Sequence, residues 1–389
     1  MSLGIIRIHI QTDPKLELLK IDCLGKSLRL EGSLAGWQQL FWDNTLVSQK
    51  AASVENGGLK VHEFELTQHQ SQLASDTGET QVLEHKIQVR LETDVVWQPF
   101  RFDYRLLLDE EVIAQGTRTE KDIERQTPEV PVTNPQKISF VGLASLGFKL
   151  LKSAKVIKLV LAGASVAAYS WLFSFQFALA LIACLVFHEY GHIRAMKYFG
   201  MKTKGIYLIP FMGGLALSDE KINTRWQDVV ISIMGPTFGL LMSVGSLIAY
   251  HMTDNVFFAG LAAFNALLNL FNLLPILPLD GGHILKSISF SMNSIMGLIA
   301  CVIGAAFGVY ISYTLGLALL GFLLLIGSLE IVFEWRTRHQ SHLLPLDRYG
   351  QIFSTIWYLV TVAALVGIIW HLAGTGDDML SLPLHILRS

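Results

Sequence analysis

Seven apolar runs limit what this chain can become. They fall near residues 156–173, 175–197, 227–251, 256–278, 295–313, 315–333 and 352–373. Each is close to the roughly 20 residues an α-helix needs to cross the hydrocarbon of a bilayer. Inside a bilayer no water satisfies backbone N–H and C=O groups, so runs of this length must be helical. The 389 residues are 51% hydrophobic with a mean hydropathy of +0.44, which exceeds the apolar share of a soluble domain. A net charge of −2 offers no footprint for nucleic acid. Cys23, Cys184 and Cys301 are split between a polar region and two apolar runs, so no disulfide framework is visible.

Charge sets the orientation. Lys149, Lys152, Lys155 and Lys158 precede the first run. Arg194, Lys197, Lys202, Lys204, Lys221 and Arg225 follow the second, Lys286 the fourth, and Arg336, Arg338 and Arg348 the sixth. The linkers at Ser174, His251–Asn255 and Thr314 carry no Lys or Arg. Cytoplasmic loops hold the excess of basic residues. The pattern predicts seven passes, with the N-terminal region in the cytoplasm and the C-terminus outside. Six spans with one re-entrant piece is the variant. The first ten residues alternate apolar and polar types and lack the pattern of a signal peptide.

Residues 1–125 read as an all-β, sandwich-like soluble domain. Ile6–Ile10, Leu28–Leu30, Val61–Leu66 and Ile87–Leu91 alternate or are β-branched, as half-buried strands are. An internal repeat pairs 40–49 with 106–115, each with an aspartate at its fourth position. Both halves read as hairpins turning at that aspartate, so the sandwich is expected to contain two related halves. Pro128, Pro131 and Pro135 mark a linker over 126–150. The membrane core is expected over 151–290, with further transmembrane helices over 291–389.

The second apolar run carries no charge from Phe175 to Phe187 and then ends in His188-Glu189-Tyr190-Gly191-His192. Residues four apart share one helical face. Two imidazoles so placed can grip one tetrahedral metal ion, and the glutamate between them sits where it can take a proton from water. Ionisable groups at a span are costly and functional by default, which disfavours two idle surface histidines.

A catalytic zinc takes three protein ligands and keeps one position open. Asp280 is the third candidate, in Asn272-Leu273-Leu274-Pro275-Ile276-Leu277-Pro278-Leu279-Asp280-Gly281-Gly282. The prolines break a helix inside an apolar run. Irregular backbone at that depth survives where it lines a cavity. Asn265, Asn269 and Asn272 form one polar stripe at i, i+4 and i+7. Interhelical hydrogen bonding accounts for the first two, and Asn272 is the functional candidate. His283 reads as a solvated turn residue. Gly304 and Gly308 read as packing. Glu330 and Glu334 are alternative third ligands, but neither lies beside a helix break.

HEYGH at a helix end, followed by Asn-Leu-Leu-Pro-Ile-Leu-Pro-Leu-Asp-Gly-Gly, resembles the site-2 protease family of intramembrane zinc metalloproteases. The resemblance covers about 155–290. It implies one zinc held by His188, His192 and Asp280, with Glu189 as catalytic base and Asn272 contacting substrate or the developing oxyanion. It also implies that the glycine-bearing stretch Gly205–Leu217 is a hairpin that offers an edge to substrate. Gly235-Pro236 resembles the family's G-P-x-x-N, but Gly239 stands where the asparagine is usual; that departure bears on one supporting hydrogen bond and not on the metal site. The expected partners are membrane-protein substrates with a transmembrane segment, and the lipid bilayer. The expected location is the cytoplasmic membrane. The rival reading is a non-proteolytic zinc scaffold or carrier using the same ligands. The intact Glu189 speaks against it, because a carrier needs no base.

Overall fold

The computed structural model describes residues 16–33, 36–51, 58–73, 80–126, 154–172, 174–209, 213–218, 222–314, 321, 324, 327–332 and 343–374. They divide into two compact units. One runs to Gln126 and also takes in the segment ending at Asp347; the other holds the remainder. The strand expected at Ile6–Ile10 and the proline-bearing linker lie outside the described residues.

The first unit is built from two antiparallel four-stranded meanders. β1 (Leu16–Cys23), β2 (Lys26–Gly32), β3 (Gln38–Trp42) and β4 (Thr45–Lys50) form one. β5 (Lys60–Leu73), β6 (Thr80–Trp97), β7 (Phe100–Leu108) and β8 (Glu111–Thr119) form the other. Alternation turns Leu28, Leu30 and Leu40 of one sheet and Val89, Leu91, Phe102 and Leu106 of the other into a single buried core. Facing sheets that share one core make a sandwich. Both repeat hairpins turn at the aspartate. Asp43-Asn44 and Asp109-Glu110 have positive φ at both residues, the type I′ geometry whose twist suits a two-residue hairpin. Each hairpin also slips register at the same place, after Leu40 and after Leu106. A short helix α1 (Glu120–Glu124) closes the unit with a capping box between Thr119 and Asp122.

One boundary differs from expectation. Residues 343–347 group with the sandwich and not with the C-terminal helices, and Leu344 is buried in its core. The physical reason is apolar burial: a leucine between polar segments finds cover in the nearest hydrophobic core.

The second unit is helical. α2 (Ala154–Leu172) and α3 (Phe175–Tyr198) lead into a hairpin of β9 (Thr203–Ile209) and β10 (Gly213–Ser218). Then come α4 (Arg225–Thr253), α5 (Val256–Asn272), α6 (Asp280–Met292), α7 (Ser294–Thr314) and α8 (Arg348–Ala373). Among the described residues, four helices are long and apolar enough to cross a membrane: Phe175–Tyr198, Arg225–Thr253, Ile295–Thr314 and Arg348–Ala373. Ile157–Trp171 and Val256–Asn272 are shorter apolar helices. Most of the run at 315–333 lies outside the described residues.

Small residues bring α4 and α5 together. α4 buries Gly235, Gly239, Ser243 and Ser246; α5 buries Ala259, Ala262, Ala263 and Ala266. Lipid is as apolar as leucine, so helices in a bilayer associate by close packing and by hydrogen bonds across the seam. Gly304 and Gly308 of α7 pack within the chain, against Pro275 and Ile276.

One polar cluster is sealed between the sheets. His62 contacts Gln38 and Ser48, each at 3.0 Å, and Thr93 donates to Gln38 at 3.1 Å. Burial first, then the charges of Lys50 and Lys60, push the His62 imidazole down to about 4. An unfolded histidine titrates near 6.5. Between those values only the unfolded chain takes up the proton, so stability falls as pH drops through that window. The full loss is about 3 kcal/mol. The protection factors of the β6 amides, measured against intrinsic exchange rates at each pH, should fall between about pH 7 and about pH 4. His62→Gln should flatten that dependence.

Candidate metal centre

Five elements converge on one point. α3 supplies His188, Glu189 and His192 from its last third, all buried. Their spacing stacks the two imidazoles with ring centroids 4.8 Å apart. α5 ends at Asn272, the chain breaks over 273–279, and α6 restarts at Asp280. That break carries the Asp280 carboxylate to 3.4 Å from His188 Nε2 and 3.5 Å from His192 Nε2. The two Nε2 atoms lie 3.1 Å apart. Among the described residues no other group of three such side chains could hold a metal ion.

Hydrogen bonds fix which nitrogen of each ring faces inward. His192 Nδ1 lies 2.7 Å from the Ile231 carbonyl. A carbonyl only accepts, so Nδ1 carries the proton. His188 Nδ1 lies 2.7 Å from Asn269 Oδ1, and it donates in the same way. Neutral imidazoles then present two Nε2 lone pairs, and Asp280 presents an oxygen, to one shared point. Three acceptors so placed repel one another unless a cation lies between them.

The spacing suits zinc. Ligand bonds of about 2.0–2.1 Å in a tetrahedron set the donors about 3.3 Å apart, and the observed separations are 3.1, 3.4 and 3.5 Å. The space is kept open by Gly235 of α4. A Cβ there would lie 2.3 Å from His192 Nε2 and 2.9 Å from His188 Nε2. The residues present therefore fit a bound zinc ion.

Glu189 lies beside this point but outside the triad, with Oε1 3.9 Å from His188 Nε2. β10 covers it. A Cβ on Gly214 would come within 2.2 Å of Glu189 Cγ, and the carboxylate accepts from the Ala216 N–H. The sheet has two strands among the described residues, β9 and β10, so one edge of β10 is open.

Other candidates fall elsewhere. Asn272 ends α5, half-buried, and its side chain makes no hydrogen bond among the described residues. Glu330 pairs with Lys286 at 2.5 Å, which removes it as a ligand. Glu334 lies outside the described residues. His283 is no solvated turn residue. It sits on α6 with Nδ1 3.6 Å from Asp228 Oδ1, and Ser287 donates to the same carboxylate at 2.5 Å. The helix begins at Asp280 itself, so position 283 is already one turn inside it. Two contributors were hidden in the sequence. Asn269 was visible as part of a stripe, but nothing in the stripe pointed it at His188. Gly235 was visible in a Gly-Pro pair, with no sign that it faced the imidazoles.

Part of this chain is similar to known proteins. Residues 176–257 and 248–319 match the sequence profile of Peptidase family M50. The matched segment, 176–319, holds His188, Glu189, His192 and Asp280. The Synechocystis protein sll0528, whose name carries the words zinc metalloprotease, is 38% identical over 146 residues, covering 36% of this chain and 38% of its own length. Zinc metalloprotease MJ0392 of Methanocaldococcus jannaschii is 34% identical over 113 residues, covering 28% and 32%. Stage IV sporulation protein FB of Bacillus subtilis is 26% identical over 188 residues, covering 44% and 63%. The chain spans about a third of the length of the first two relatives and less than two thirds of the third. With its apolar helices, the M50 segment makes this an integral membrane protein.

Support reaches the M50 segment from beyond its end. Tyr358 of α8 donates to the Leu273 carbonyl at 2.6 Å and pins the first residue of the break that delivers Asp280. Purified protein should hold zinc. Gly235→Ala, which leaves every donor in place, should reduce zinc content from near stoichiometric to near zero, because its methyl group occupies the space between the imidazoles. Elemental analysis of the dialysed variant measures this.

Proposed function

We propose that this protein is an intramembrane zinc metalloprotease that hydrolyses peptide bonds within or near the transmembrane segments of other membrane proteins. The observation that carries the reading is the position of Glu189: a buried carboxylate beside the His188, His192 and Asp280 donors, held by a strand edge. A carrier or scaffold gains nothing from a base there. Zinc bound by those donors would supply Lewis acidity, polarising a carbonyl and acidifying water.

The chain's own residues do the rest. His188 and His192 offer Nε2 because their Nδ1 protons are committed elsewhere. Glu189 accepts the proton of the attacking water and passes it to the leaving nitrogen, a role worth about 10²–10⁴-fold in rate. Asn272, with an uncommitted side-chain amide, donates to the developing oxyanion. A spanning helix hides its amides in its own hydrogen bonds, so the substrate must unwind before attack. The unwound segment then adds as a strand to the open edge of β10, which sets its backbone next to Glu189. The β-sandwich is assigned to the cytoplasmic side, where it governs access and does no chemistry.

Glu189→Gln should retain zinc and lose cleavage of a reconstituted membrane substrate by about 10²–10⁴-fold. His188→Ala and Asp280→Ala should lose both zinc and cleavage. Asn272→Ala should keep zinc and cleave more slowly. Zinc content and product formation, measured on the same preparations, separate these classes. A Glu189→Gln protein that still cleaves would remove the mechanism.

A further inference from the structure

Position 239 and position 269 face each other across the seam of α4 and α5. A Cβ built on Gly239 would lie 1.9 Å from Asn269 Oδ1 and 2.2 Å from its Cγ and Nδ2. The two positions therefore cannot both carry side chains in this arrangement. The amide that fills the space is the one that contacts His188 Nδ1, at 2.7 Å.

The orientation of that amide is determined. Asn269 Nδ2 donates to the Asn265 carbonyl at 2.8 Å and to Asn265 Oδ1 at 3.0 Å. Asn265 Nδ2 donates in turn to the Gly239 carbonyl and to Ser243 Oγ, both at 2.8 Å. Two backbone carbonyls, which can only accept, set the direction of the relay. Both asparagines are fully buried, so a reversed amide would face an unsatisfied acceptor at a cost of about 1–3 kcal/mol. Asn269 Oδ1 is thereby locked toward His188, and His188 must donate from Nδ1.

We propose that Asn269 is a positioning residue that sets the tautomer and orientation of His188 for metal binding, and that position 239 is glycine because Asn269 occupies its side-chain space. The inference rests on the metal-site reading above. It adds that the site's stability toward zinc depends on a pair, 239 and 269, neither of which touches the metal. Partners of ligating histidines typically contribute 10–100-fold to metal affinity.

The test is zinc affinity by chelator competition on the detergent-purified full chain, with the melting temperature of the zinc-free protein measured alongside. Gly239→Ala and Asn269→Ala should each weaken zinc binding by about 10–100-fold. The double variant should be no weaker than Asn269→Ala alone, because the added methyl then meets empty space. Gly239→Asn combined with Asn269→Ala should bind zinc more tightly than Gly239→Asn alone. Unaltered affinity in Gly239→Ala, losses that multiply in the double variant, or an Asn269→Ala protein that melts earlier yet binds zinc normally would each overturn the proposal. Should Gly239→Ala fail to accumulate, the affinities of Asn269→Ala and the double variant still decide it. An unaltered protein that takes up no zinc would sink the metal-site reading together with this one. A zinc-loaded unaltered protein with an equally tight Asn269→Ala variant would sink only the pairing.

Discussion

Three acceptor atoms, two imidazole nitrogens and a carboxylate oxygen, are aimed at one point inside a bundle of apolar helices. Such an arrangement is unfavourable by itself, because lone pairs that converge in a medium of low polarity repel strongly. It persists because each donor is held from behind. Ile231 and Asn269 take the Nδ1 protons of His192 and His188. Asp280 is delivered by a helix break and the start of α6. Much of the membrane unit can be understood as the scaffold that imposes this convergence, and zinc is the charge that makes it favourable.

That scaffold works by close approach. α4 comes near enough to face both imidazoles only because position 235 lacks a side chain, and β10 reaches Glu189 only because position 214 does. Alanines on α5 and small residues on α4 let the asparagine relay cross the seam as short hydrogen bonds. Hydrogen bonds between spans contribute modestly to association. Their larger effect here is directional, since a chain of amides anchored on carbonyls admits one orientation and hence one histidine tautomer. α8, which lies beyond the M50 segment, contributes through Tyr358 by restraining the break.

The sandwich uses different means to similar ends. Its two meanders share a core of alternating leucines and aromatics, and its sealed polar cluster around His62 is satisfied by Gln38, Ser48 and Thr93. Repeated type I′ turns and repeated register slips in the two halves set matching registers. A one-residue slip would move each strand's apolar residues to the wrong face.

The sequence alone determined the elements whose signals are local. Apolar runs of about 20 residues require helices in a bilayer. Histidines four apart require one helical face. The prolines before Asp280 require a break. Alternation with an aspartate at the same point of two repeats requires hairpins, and both were present. What the sequence left open were contacts between residues far apart in the chain. Asn269 looked like ordinary interhelical glue until α5 was placed against α3, 81 positions away. His283 looked solvated until α6 was packed against Asp228 of α4. Gly239 looked like a departure from a familiar pattern until the facing amide was seen to fill its space, and nothing in the sequence around Leu344 pointed to the sandwich core that buries it. Periodicity reports which face of an element is buried, but not which neighbour buries it. That choice is made by side-chain volume and hydrogen-bond direction at the seam, which exist only once the helices have packed.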